Sequence, residues 1–162
     1  MRLRKVGMLV GLIAASVFAA APEYRSMGPD IFDPKVSGET LVADALRLAK
    51  REDKKVLLLF GANWCPWCRR LHRALTSGAA VSDRRRKSFV LVFVDANTRN
   101  DKNRNAGLIE KYGNPLQFGL PVFVVLDGDG KQLTTRETGS LAAATDAKVA
   151  DNVLAFLHEW AK

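Results

Sequence analysis

Apolar residues along the chain fall into two patterns, continuous short runs and stripes at helical spacing. Residues 56–60, Val-Leu-Leu-Leu-Phe, form an unbroken run, as expected of a strand covered on both faces. A second such strand is predicted over 88–95 and a third over 119–127, with Pro121 near its start, where a strand tolerates proline. Between these runs the period lengthens. Leu41, Val42, Ala45, Leu46 and Ala49 predict a helix that Ser37 can cap. Leu71, Ala74, Leu75 and Ala79 predict another, starting at Pro66 and reaching about Ala80. A short helix through Leu108, Ile109 and Tyr112 stops at Gly113-Asn114-Pro115. Asp127-Gly128-Asp129-Gly130 predicts a tight turn into a fourth strand over 131–136. A last helix over 146–160 carries Val149, Val153, Leu154, Phe156, Leu157 and Trp160 mostly on one face.

Buried strands alternating with helices, then a terminal hairpin, predict a three-layer α/β/α domain with a central mixed sheet. At 162 residues one domain suffices. The expected divisions are 1–19, 20–36 and 37–162. The first is an export signal: Arg2, Arg4 and Lys5 precede an apolar run over 6–21 that ends in small residues. Cleavage is expected after Ala19, with Ala21 as the next candidate and an uncleaved membrane anchor as the alternative. Residues 20–36, rich in proline and without a period, read as an extended lead-in. The domain is expected in a periplasm or otherwise exported, where disulfides persist.

Charge changes this picture little. The net charge is +8, and Arg2, Arg4 and Lys5 account for three of it. Arg84-Arg85-Arg86-Lys87 is the one dense basic run, without interleaved aromatic residues, and reads as a solvated helix face. No nucleic-acid partner is expected.

The chemistry concentrates at the turn after the first strand, Phe60-Gly61-Ala62-Asn63-Trp64-Cys65-Pro66-Trp67-Cys68. These are the chain's only two cysteines. A thiol at a helix N-terminus faces unpaired N–H groups and the positive end of the dipole, both of which favour its thiolate. A second thiol one turn on can resolve a mixed disulfide. Cys65 is therefore the expected nucleophile and Cys68 its more buried, less reactive partner. Arg69, Arg70 and Arg73 are expected to add positive charge, and Trp64 and Trp67 to wall the site. Two other uses of the pair compete with this one. A purely structural disulfide closing so small a ring gives only about 2 kcal/mol by loop entropy. A zinc site could draw on Cys65, Cys68 and His72, but the only other histidine is His158, and no metal or other cofactor is expected.

Trp64-Cys65-Pro66-Trp67-Cys68 after a buried strand, with Leu120-Pro121 opening a later one, resembles the thioredoxin superfamily, in particular its exported thiol–disulfide oxidoreductases. The resemblance spans about residues 39–162. It implies a thioredoxin-like fold, a cis Pro121 beside the sulfurs, and a Leu120 backbone that pairs with a substrate strand. Pro66-Trp67 replaces the Gly-Pro of thioredoxin itself. Leu59 stands where thioredoxin has a buried acid, so proton removal from Cys68 falls to water or an unidentified base. The expected activity is disulfide exchange with exported proteins, leaning to reduction, by a monomer served by a further redox partner. A binding module for an exported partner or metal is the alternative.

Overall fold

A computed structural model of the protein describes residues 29–99 and 102–161. The expected export signal lies outside the described residues. No helix among them is long and apolar enough to cross a membrane.

Four strands form one mixed sheet: β1 (Lys55–Gly61), β2 (Phe89–Asp95), β3 (Val122–Leu126) and β4 (Gln132–Glu137), in the order β2-β1-β3-β4. β1 runs parallel to β2 and antiparallel to β3, and β3 pairs antiparallel with β4. The central pair is buried throughout its apolar run, as the unbroken patterns of 56–60 and 122–126 require.

Five helices cover the two faces: α1 (Gly38–Glu52), α2 (Pro66–Ser77), α3 (Ala79–Ser88), α4 (Ala106–Lys111) and α5 (Asp146–Trp160). Side chains alternate along β1, so one sheet feeds two cores. Val56, Leu58 and Phe60 pack with Val42, Ala45 and Ala49 of α1 and with Leu108 and Ile109 of α4. Leu57 and Leu59 face the other way, into Leu71, Leu75, Val81, Val153 and Phe156 of α2, α3 and α5. Both cysteines belong to this second core.

Local chemistry sets the helix ends. Ser37 Oγ accepts the Thr40 amide at 3.4 Å, and Thr145 Oγ1 accepts that of Lys148 at 3.2 Å. The helix expected to run from Pro66 to about Ala80 instead ends at Ser77. Gly78 has extended backbone (φ −99°, ψ 134°) and serves as C-cap of α2 and N-cap of α3. The basic run of residues 84–87 lies in α3, whose buried residues are Val81, Ser82 and Ser88.

The lead-in contributes to the core. Phe32 is fully buried among the residues around the cysteines and meets Phe93 edge-on, with ring centroids 5.9 Å apart. Asn63 holds this segment in place. Its Oδ1 accepts the Ile31 and Phe32 amides at 2.9 and 3.0 Å, and its Nδ2 donates to the Phe32 carbonyl at 2.8 Å.

Candidate functional site

β1 ends at Gly61, and the chain turns through Ala62–Trp64 into α2. Cys65 is the N-cap of that helix, with extended backbone (φ −90°, ψ 112°), and Pro66 occupies the first turn, where a missing N–H costs nothing. The sulfur of Cys65 accepts the Cys68 amide at 3.1 Å. A thiol thus fills the place usually taken by a capping hydroxyl or carboxylate. Both cysteines are reduced and buried, with Cys65 5% exposed and Cys68 0%.

The two thiols differ in their ionisation. A hydrogen bond from the Cys68 thiol is the largest influence on Cys65, opposed by burial. Together with the Cys68 and Trp67 amides and the Arg99 charge it holds the Cys65 pKa down at about 7, from an ordinary 9.0. Cys68 moves the other way. Its proton is held by the bond to Cys65, and burial penalises its charged form, so its pKa is raised well above the ordinary range. Cys65 is the thiolate of the pair and Cys68 the proton donor.

The opposite wall comes from the approach to β3. A short 3-10 turn (Pro115–Phe118) leads through Gly119, at φ +83°, into a cis Leu120–Pro121 bond. The Leu120 carbonyl lies 3.9 Å from the Cys65 sulfur, and Pro121 is buried. The tryptophans close the sides. Trp67 Nε1 donates to Thr138 Oγ1 at 3.2 Å, and that hydroxyl donates to the Pro121 carbonyl at 2.5 Å. Trp64 Nε1 donates to Asn97 Oδ1 at 2.9 Å. The structure thus brings Trp64, Cys65, Pro66, Trp67, Cys68, Leu120 and Pro121 into one site.

Behind the sulfurs, the sheet and the lead-in exclude water. A Cβ placed on Gly61 would lie 2.9 Å from the Cys68 sulfur and 2.3 Å from the Phe32 ring, so only glycine fits. Leu59 is fully buried in this core. The one buried carboxylate among the described residues is Asp95, at the end of β2. Burial raises its pKa, but its oxygens serve the Asn97 amide (3.2 Å) and Arg104 (3.4 Å).

The arginines expected to favour the thiolate are engaged elsewhere. Arg69 donates to the Asn63 and Pro29 carbonyls, and Arg70 pairs with Asp146 at 2.5 Å and lies against Trp67. Arg73 approaches Asp146 at 4.0 Å. The cation that acts on Cys65 is Arg99, in the polar stretch after β2. Residue spacing gave no sign of it, because the loop and α2 meet only when β1 and β2 pair. His72 packs 5.0 Å from the Phe93 ring, and burial with Arg69 and Arg73 lowers its pKa. No cluster of three or more His, Cys, Asp or Glu able to hold a metal occurs among the described residues.

A family model described as thioredoxin-like matches residues 39–128, more than half of the chain. The chain belongs to the thioredoxin-like family. Its fold agrees with the three-layer α/β/α arrangement expected from the sequence. The disulphide isomerase from Xylella fastidiosa Temecula1 shares 35% identity with it, over 80% of this chain and 95% of that one, with a TM-score of 0.67. The thiol:disulfide interchange protein DsbD of Ralstonia nicotianae is 28% identical over 137 residues, 85% of this chain. That match takes in 21% of DsbD, so the chain spans about a fifth of that relative's length. A thioredoxin from Thermus thermophilus shares the fold, at 22% identity over 72% of this chain and 81% of that one, with a TM-score of 0.51. The thioredoxin-like family match and the 35%-identical disulphide isomerase agree with an oxidoreductase.

Proposed function

We propose that the protein exchanges disulfides with exported proteins through Cys65 and Cys68, mainly as a reductase. The observation that carries this reading is the capped sulfur: Cys65 accepts the Cys68 amide at 3.1 Å, at a helix N-terminus, while facing the Leu120 carbonyl. The Cys65 thiolate attacks one sulfur of a client disulfide, and the other leaves as a thiolate. Cys68 then loses its proton and attacks the Cys65 sulfur, releasing the second client thiol and leaving Cys65–Cys68 oxidised. The client gains two electrons and the pair loses two, so a second redox partner must return them. Trp64, Pro66, Trp67, Leu120 and Pro121 form the client groove, with the Leu120 backbone pairing to an extended client strand.

The lean to reduction rests on the modest lowering of the Cys65 pKa, to about 7. A strongly oxidising dithiol has a thiolate held far lower. The N-terminal signal would deliver the domain to the periplasm, by release or as an anchor, and the catalytic unit would act as a monomer. Isomerisation is a second reading, favoured by the 35% identity to a protein named disulphide isomerase.

Two variants test these readings. Cys65→Ser should abolish reduction of insulin disulfides. Cys68→Ala should accumulate mixed disulfides with exported proteins, because the resolving thiol is absent. Rescue of a scrambled-disulfide protein by Cys68→Ala would favour isomerisation, since that reaction needs only the first thiol. Unchanged cellular function in Cys65→Ser would leave a binding module and discard the enzyme.

A further inference from the structure

The cation that acts on Cys65 comes from an element outside the two-cysteine motif. β2 ends at Asp95, whose buried carboxylate accepts the Asn97 amide at 3.2 Å and pairs with Arg104 at 3.4 Å. The Asp95 carbonyl accepts Asn105 Nδ2 at 2.8 Å. Both ends of the following loop are therefore tied to one residue. Inside the loop, Asn97 Oδ1 accepts two donors, Trp64 Nε1 at 2.9 Å and the Arg99 amide at 3.0 Å. The Arg99 guanidinium carbon lies 3.4 Å from the centre of the Trp64 ring, the separation of a plane stacked on the indole face. Trp64 directly precedes Cys65.

We propose that Arg99 is a positioning residue of the dithiol site, clipped by Asn97 across Trp64 so that its guanidinium fixes the indole and faces the Cys65 sulfur as a cation. This rests on the disulfide-exchange reading above and adds a residue to it. Arg99 acts on Cys65 beside larger influences, of which the bond from the Cys68 thiol is the first, and it is the one charged side chain among them. α2 offers Cys65 the Cys68 thiol and the Trp67 and Cys68 amides, and the β3 approach offers a neutral carbonyl. The lead-in brings apolar Phe32, while Arg69 and Arg70 reach the Asn63 and Pro29 carbonyls and Asp146. Arg99 is itself exposed, so its influence should be screened by salt.

The test is the thiolate absorbance of the reduced full chain, titrated for wild type, Arg99→Ala, Arg99→Lys and Asn97→Ala. Arg99→Ala should move the Cys65 midpoint upward and lower the thiolate fraction at pH 7 roughly threefold, as expected for one exposed cation nearby. Arg99→Lys should retain most of the effect, since the charge remains, while Asn97→Ala should lose it by freeing the loop. High salt should move wild type towards Arg99→Ala and leave that variant unmoved. A purely structural Arg99 would lower the unfolding temperature without moving the titration, which overturns the proposal. So does a wild-type midpoint unaffected by salt, a result that needs no variant to fold. Wild type inert towards insulin disulfides would instead defeat the parent reading, whatever the titration shows.

Discussion

Phe32 and Gly61 are packed so closely that a Cβ added to Gly61 would lie 2.3 Å from the ring. The ring comes from the lead-in and the glycine from the end of β1, and the contact seals the space behind Cys68. Phe32→Ala should therefore destabilise the protein by about 3–5 kcal/mol, the usual cost of emptying a buried aromatic site. Gly61→Ala should cost about 1–3 kcal/mol through overpacking against a ring and a sulfur that have no room to withdraw. Denaturant unfolding of the reduced protein measures both. A loss below about 1 kcal/mol for Phe32→Ala would mean that the lead-in is dispensable to the core.

That contact also shows where the sequence was legible. The runs 56–60 and 122–126 announced central strands because burial on both faces leaves no polar positions. The cysteine pair announced the site because so few arrangements use two thiols at a strand-to-helix turn. Phe32 stayed hidden in a proline-rich stretch without a period, since one aromatic residue held by Asn63 leaves no repeat to detect. α3 was hidden for a related reason: Val81 is its only buried apolar side chain, and the rest of AAVSDRRRKS shows no stripe. Arg99 was invisible because its relation to Cys65 is set by strand pairing, whereas Arg69, Arg70 and Arg73 were adjacent only in sequence.

Thr138 links two walls of the site, accepting from Trp67 and donating to the Pro121 carbonyl. It is 2% exposed, so Thr138→Val would leave a half-buried indole N–H and a buried carbonyl without that partner. The expected cost is roughly 1–3 kcal/mol. The functional consequence should be selective. If the Leu120–Pro121 wall guides the client as proposed, reaction with a protein disulfide should slow several-fold more than reaction with a small-molecule disulfide. Equal slowing of both would show that the wall does not guide the client.

The Cys65 thiol gives the reduced protein a defined pH dependence. Its folded pKa of about 7 lies below the ordinary 9.0, so the folded state releases this proton before the unfolded one. The stability from Cys65 is thus fully present above pH 9 and is lost as pH falls through 7, with a ceiling of about 2–3 kcal/mol. Cys68 has the opposite sign. Its raised pKa keeps a proton that the unfolded chain releases above pH 9, so its contribution falls there. The stability difference between wild type and Cys65→Ser should grow from pH 7 to pH 9 in denaturant titrations. Alkylation of Cys65 should accelerate through a midpoint near pH 7, with Cys68 unreactive. In Cys68→Ala that midpoint should rise, because the thiol bonded to the Cys65 sulfur is gone. A flat alkylation profile from pH 6 to 8 would contradict the arrangement.

The same asymmetry bears on the direction of electron flow. A stabilised thiolate favours the dithiol over the disulfide, and the more the pKa is depressed, the more oxidising the pair becomes. A thiolate with a pKa near 3.5 accompanies a potential of about −120 mV, and one near 7 about −270 mV. With Cys65 at about 7, the Cys65–Cys68 couple should lie between roughly −200 and −270 mV. Equilibration with glutathione or a reference dithiol, read by the fraction of reduced protein, gives the value. Arg99→Ala should lower it, because removing the cation weakens the thiolate that the reduced state contains. Within the predicted range, the pair would donate electrons to disulfides formed in an oxidising compartment. A potential above about −150 mV would place it among disulfide donors instead and reverse the reductase assignment, leaving the exchange chemistry of Cys65 and Cys68 unchanged.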